Sequence, residues 1–139
     1  GDAVVEIVDV FLNEDNGKNF VSDADIIIDA TDNIQTRLLI DRLSKESGVP
    51  MVYGGLYRYE GQVAILNVNG SSGYSELFPD PPSGGDTCAD VGILGMVPGI
   101  VGNIQALEAL KLIVGIEPNL AGKLLVYDGM NQTIQTIEL

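Results

Sequence analysis

One cysteine, no histidine and no tryptophan occur in the 139 residues of this chain. A single thiol, Cys88, excludes an intramolecular disulfide and any all-cysteine zinc site, and with no imidazole to complete a ligand set no zinc is expected. Bases are scarce as well: 7 Lys and Arg stand against 20 Asp and Glu, a formal net charge of −13. Such a surface repels phosphate backbones and anionic lipids, so nucleic acid is not an expected partner. No acidic run exceeds a few residues, and the acidity reads first as a source of solubility and second as a means of steering a basic partner. No apolar run is expected to cross a bilayer. The opening Gly1-Asp2-Ala3-Val4 carries neither the basic nor the apolar region of a signal sequence, and a cytoplasmic location is expected. Two further things are missing, a starting Met, which reads as processing, a tag remnant or trimming, and any GxGxxG phosphate loop.

What is present is ordinary for a soluble domain. Apolar residues make up 45% and charged residues 19% of the chain, and a chain of this length reads as one domain over residues 1–139 able to bury roughly two-thirds of its unfolded surface. Alternation over Val4 to Val10 predicts a first strand, and Asn13-Glu14-Asp15-Asn16-Gly17 predicts a turn-rich loop after it. A second strand is expected over about Asp25 to Ala30. Thr31 is placed to cap a helix with apolar positions Ile34, Leu38 and Leu43, which Gly48 and Pro50 stop. Met51 to Gly54 then completes a strand-helix-strand unit, overwhelmingly parallel and right-handed. Leu56 to Glu60 and Gln62 to Val68, turning near Gly61, predict an antiparallel departure. Asn69 to Asp90 reads as a long functional loop, Val97 to Val114 as a helix that is buried or at a subunit interface, and Gly122 to Tyr127 with Thr133 to Glu138 as a closing hairpin around Asp128-Gly129.

The chemistry-bearing junction is Asp25-Ile26-Ile27-Ile28-Asp29-Ala30-Thr31-Asp32-Asn33, a β-branched run that ends in acids and an amide just before a helix. In open α/β sheets ligands gather outside the carboxyl ends of parallel strands. Asp29 and Asp32 therefore stand where a nucleotide or a metal ion would be held. On the residues alone, Asp32 also reads as a helix-start acid favoured by the helix dipole, Asp29 as a strand-end acid that bonds a neighbouring loop, and Arg37 as the partner of an acid.

Asp29-Ala30-Thr31-Asp32-Asn33 with Arg37, then Glu60-Gly61-Gln62, Leu77-Phe78-Pro79, Thr87-Cys88 and Gly102-Asn103-Ile104-Gln105-Ala106-Leu107-Glu108-Ala109 resemble, in that order, the ThiF/MoeB/HesA proteins, bacterial relatives of the ubiquitin-activating enzymes. The resemblance covers nearly the whole chain. It implies a Rossmann-like parallel sheet with an antiparallel C-terminal extension, here without the N-terminal nucleotide-binding unit, so that the chain reads as the C-terminal part of a ThiF/MoeB-like adenylating domain. The implied activity is ATP-dependent adenylation of the C-terminal Gly-Gly carboxylate of a ubiquitin-like or sulfur-carrier protein in a thiamin or molybdopterin type pathway. That carboxylate attacks the α-phosphate and pyrophosphate leaves. The cofactors implied are ATP and Mg²⁺, because the phosphate charge must be spread through the transition state. By motif match, Asp32 is the catalytic acid that holds the metal-nucleotide complex, Asn33 its nucleotide-contacting neighbour, and Cys88 the thiol that takes the carrier as a thioester or exchanges sulfur with it. Relatives are commonly homodimers, which the resemblance implies here.

Two departures from the family bear on function. Where many relatives have a zinc-binding CxxC before Leu77-Phe78-Pro79, this chain has Gly73-Tyr74-Ser75-Glu76, and no second CxxC follows. The glycine-rich loop, ribose acid and triphosphate-binding cations of the family have no counterpart in these residues, so the piece by itself is expected to be inactive. A non-catalytic module that binds the carrier protein, or a partner subunit, is the alternative. The acids around Cys88 in Gly85-Asp86-Thr87-Cys88-Ala89-Asp90 do nothing to lower its pKa.

Overall fold

A computed structural model describes residues 2–80 and 92–139. Five strands form one sheet in the order β1-β2-β3-β4-β5, comprising β1 (Ile27–Asp29), β2 (Met51–Tyr57), β3 (Glu60–Leu66), β4 (Lys123–Asp128) and β5 (Thr133–Glu138). The β1–β2 pair is parallel, with Ile27 opposite Met51 and Asp29 opposite Tyr53, and the other three pairs are antiparallel. The parallel start and antiparallel extension expected from the sequence are both present.

Helix α2 (Ile34–Ser47) makes the crossover from β1 to β2. Its cap is Asn33, whose side chain accepts the Thr36 N–H at 2.8 Å, and its end is Gly48 at φ 69°. The cap expected at Thr31 therefore lies two residues further on. Helix α1 (Glu14–Ser22) stands where a loop was expected. The Asn side chains that favour turns also cap helices: Asn13 Oδ1 accepts from the amides of Asp15 and Asn16, while Asn16 Oδ1 accepts from that of Asn13. Gly17 brings α1 onto α2, since a Cβ there would lie 2.7 Å from Leu43 Cδ1.

The strand expected over Val4 to Val10 does not form. Val4, Val5, Ile7 and Phe11 are 80–97% exposed, and no neighbouring strand pairs with this segment among the described residues. Alternation marks a chain fit for a sheet, but the ladder needs a partner for its N–H and C=O groups.

The two faces of the sheet carry different cores. Met51, Tyr53, Ala64 and Leu66 point toward α2 and the short helix α3 (Tyr74–Leu77) and pack with Ile40 and Tyr74. Val52, Val63 and Ile65 point the other way, onto Val97, Val101 and Ala109 of α4 (Met96–Val114). Period-2 alternation in β2 and β3 thus feeds two apolar layers. The β2–β3 turn falls at Arg58-Tyr59, not at Gly61. Gly61 is a glycine for another reason: a Cβ there would run into Val101 Cγ2 of α4. Helix α4 is also long and apolar enough to cross a membrane by length and composition, which corrects the expectation that no run is. In this fold one of its faces lies on the sheet, and Glu108 on that face accepts the Leu120 N–H at 2.8 Å and pairs with Lys111 at 2.6 Å.

Candidate functional site

The site is built on the chain leaving β1. Asp29, the last residue of that strand, has a side chain with no exposed surface. A buried carboxylate is costly unless charge and hydrogen bonds compensate it, and here both do. Oδ1 accepts from the Thr31 amide at 2.9 Å and the Thr31 hydroxyl at 2.6 Å, while Oδ2 takes Arg37 Nε at 2.6 Å. Arg37 Nη2 donates to the carbonyls of Thr31 at 2.6 Å and Gly54 at 3.0 Å. The guanidinium lies 4.9 Å from the Tyr53 ring centroid and 5.5 Å from that of Tyr74. Although its burial acts to depress the pKa of Arg37, Asp29 and the two phenols leave it raised, so the cation is permanent. Asp29 and Arg37 are therefore the frame of the site. Neither is left free to meet a ligand through the Asp29 carboxylate, in line with the loop-bonding and acid-pairing readings of these two residues.

Asp32 is different. It is exposed, and among the described residues its carboxylate meets only the Asn33 side-chain amide, at a long 3.4 Å. A carboxylate held at a strand end and uncommitted to the protein suits a divalent cation, and Mg²⁺ is commonly held by one or two carboxylates together with substrate phosphates. Among the described residues no group of three or more His, Cys, Asp or Glu is gathered as a metal site. Asn33 divides its functions: Oδ1 is committed to capping α2, and among the described residues Nδ2 donates only to Asp32, leaving its second N–H available. Cys88 lies outside the described residues, and the structure brings nothing to bear on it.

Next to Arg37, a groove of about 180 Å³ runs over the sheet face between Tyr53, Gly55, Tyr57, Glu60 and Gln62. Tyr53 donates its hydroxyl to Gln62 Oε1 at 3.2 Å, and a Cβ at Gly55 would collide with that hydroxyl. Among the described residues the Gln62 amide nitrogen donates to nothing, which leaves a hydrogen-bond donor in the groove. Burial pushes the Tyr53 phenol far above its ordinary value, so it stays protonated as a donor. Gln62 was visible in the sequence only as part of a motif; its free donor is a product of pairing β3 beside β2.

The segment that carries Gly73-Tyr74-Ser75-Glu76 is anchored by Asp41 of α2. This buried carboxylate accepts from the amides of Tyr74 at 2.7 Å and Ser75 at 3.0 Å, from the Ser75 hydroxyl at 2.8 Å and from Asn67 Nδ2 at 3.0 Å. Glu76 pairs with Lys45 of the same helix and accepts the Gly73 N–H at 3.1 Å. Tyr53, Tyr74 and Phe78 stack in tilted geometry with centroids 4.9–5.9 Å apart. Side chains of α2 and an aromatic cluster fix this segment where many relatives are expected to use zinc.

These features define an α/β domain whose candidate site lies at the carboxyl end of a parallel strand pair. The ThiF family matches residues 2–139, and the chain belongs to that family. It is 40% identical over 138 residues to the SAMP-activating enzyme E1 of Haloferax volcanii, covering 98% of this chain and 51% of that protein. To the sulfur carrier protein adenylyltransferase of Thermus thermophilus it is 37% identical, over 96% of this chain and 52% of the relative. The adenylyltransferase and sulfurtransferase MOCS3 of Xenopus laevis is 38% identical, with 94% and 29% covered. The chain spans about half the length, or less, of these curated relatives. Among solved structures, E. coli MccB with MccA-N7isoASN superposes with a TM-score of 0.74 at 12% identity over 94% of this chain and 42% of that one. PaaA gives 0.67 at 20% identity over 91% and 46%. At those identities the likeness is one of fold.

Proposed function

We propose that this chain is the metal- and carrier-facing part of an ATP-dependent adenylyltransferase that activates the C-terminal Gly-Gly carboxylate of a ubiquitin-like sulfur-carrier protein, in a pathway of the thiamin or molybdopterin type and in the cytoplasm. The observation that carries the reading is the Asp32 carboxylate, uncommitted among the described residues, on a turn fixed by the Asp29–Arg37 pair. The names of the curated relatives, which include a sulfur carrier protein adenylyltransferase, support the reaction class.

In this reading Mg²⁺·ATP, when bound, supplies the electrophilic phosphorus and neutralises phosphate charge. Asp32 would hold the metal, and Asn33 Nδ2 would donate toward the nucleotide while its carbonyl keeps α2 capped. Arg37 keeps the turn in place. The groove over Gly55 would take the carrier's extended tail, with the Gln62 amide nitrogen donating to a tail carbonyl. Cys88 would receive the activated carrier or exchange sulfur with it. The exposed apolar side of α4, including Leu107, Leu110 and Ile113, supports a homodimer. These 139 residues contain no glycine-rich phosphate loop, so the fragment alone is inactive in this account. The same fact favours, as a second reading, a carrier-binding module without chemistry.

The test is ATP–pyrophosphate exchange by the full-length polypeptide with a carrier protein ending in Gly-Gly. Exchange that needs the carrier and is lost when its last glycine is deleted is the expected result. Carrier binding without exchange would support the module instead. A Cys88→Ala enzyme is expected to exchange normally and to fail in downstream transfer.

A further inference from the structure

Gln105 is the one amide in the face of α4 that lies on the sheet, where Val97, Val101, Glu108 and Ala109 are its buried companions. It is 5% exposed. A buried amide at the i+4 position from Val101 is expensive unless hydrogen-bonded, and its partners show what it is there for. Nε2 donates to the Asp29 carbonyl at 2.8 Å and to the Val52 carbonyl at 3.1 Å. Those oxygens belong to adjacent parallel strands, at the point where β1 ends and its ladder runs out.

The neighbouring glycine makes room for this bridge. A Cβ at Gly54 would lie 2.5–2.6 Å from the Gln105 amide atoms. On the opposite face of the sheet, Arg37 holds the Asp29 carboxylate and the Gly54 carbonyl. The end of β1 is thus gripped from both sides, by its side chain from α2 and by its backbone from α4. Asp32 emerges three residues later.

We infer that Gln105 is a positioning residue for the metal-binding acid: by fixing the Asp29 carbonyl from the α4 side, it sets the place from which Asp32 meets the metal-nucleotide complex. The inference rests on the proposed role of Asp32. A role confined to core packing would lower stability without altering metal dependence, and this separates the two.

The experiment compares wild type with Gln105→Met, which keeps volume and removes the donor, and with Gly54→Ala, which displaces the amide from the other side. In the full-length polypeptide the Mg²⁺ concentration for half-maximal ATP–pyrophosphate exchange is expected to rise about tenfold in both variants, with the KM for carrier within twofold of wild type. In the 139-residue chain, amide hydrogen exchange is expected to quicken at Thr31 and through the first turn of α2 while β3 keeps its protection. A lower melting temperature with unchanged Mg²⁺ dependence and unchanged exchange at Thr31 would overturn the inference. If Gln105→Met does not fold, Gly54→Ala decides by the same two readouts. Absence of exchange activity in wild type would remove the proposed function, and a Thr31 segment no faster in the variants would still overturn the clamp.

Discussion

Arg37 reaches back from the first turns of α2 to the strand end that precedes it, and its Nε meets Asp29 Oδ2 at 2.6 Å with both side chains almost wholly covered. Breaking such a buried pair from one side leaves an uncompensated charge and costs about 3–5 kcal/mol. Arg37→Met is therefore expected to lower stability by about 3 kcal/mol or more in urea unfolding of the 139-residue chain. Arg37→Met with Asp29→Asn is expected to lose less than Arg37→Met alone, because no bare carboxylate remains. Equal losses would show that the pair acts only through the carbonyls of Thr31 and Gly54.

Asp41 anchors residues 73–76. Its four accepted hydrogen bonds include two backbone amides that would be left buried or half-buried without partners. Asp41→Ala is expected to cost about 3 kcal/mol, the range for hydrogen bonds to a charged group, measured by denaturant unfolding. Chelators are expected to leave the melting temperature of the wild-type chain unchanged. A fall in melting temperature with EDTA would point to a structural metal that these side chains do not account for.

The Tyr53 phenol is pushed upward chiefly by burial, with Arg37 opposing the shift. A tyrosine raised in the folded state keeps its proton there after the unfolded chain has lost it, so its contribution is whole below the unfolded value of about 10 and declines as pH rises above it. Ultraviolet titration is expected to show Tyr53 ionising only together with loss of the fold. Removing the phenol, as in Tyr53→Phe, should flatten the alkaline decline in stability; an unchanged decline would assign it to another group.

Much of this architecture could be read from local pattern, and the misreadings have physical causes. The strand-helix-strand unit from Asp25 to Gly54 and the hairpin around Asp128-Gly129 are set by signals within each segment, namely β-branched runs, the Gly48 stop and turn residues. Val4 to Val10 has the alternation of a strand, but pairing depends on a neighbour that alternation cannot supply. Glycine marks both turns and close approaches, so Gly61 reads as a turn in the sequence; only the packing of Val101 against it tells the two apart. Asn13 and Asn16 carry the same ambiguity between turn and helix cap. At the site, the position of Asp32 and the pairing of Arg37 followed from the strand-end pattern. The groove donor on Gln62 and the Gln105 bridge did not, since both arise between segments more than 30 residues apart or on separate elements.

Among the described residues the exposed Asp32 carboxylate makes one long contact, to the Asn33 amide, and so adds little to the fold. ATP–pyrophosphate exchange by the full-length Asp32→Ala enzyme, measured at saturating carrier alongside its melting temperature, is the decisive comparison. Loss of exchange by about a hundredfold or more, roughly 2.7 kcal/mol of transition-state stabilisation, with melting unchanged is the predicted result. Wild-type exchange in that variant would contradict the assignment of Asp32 to the metal-nucleotide complex.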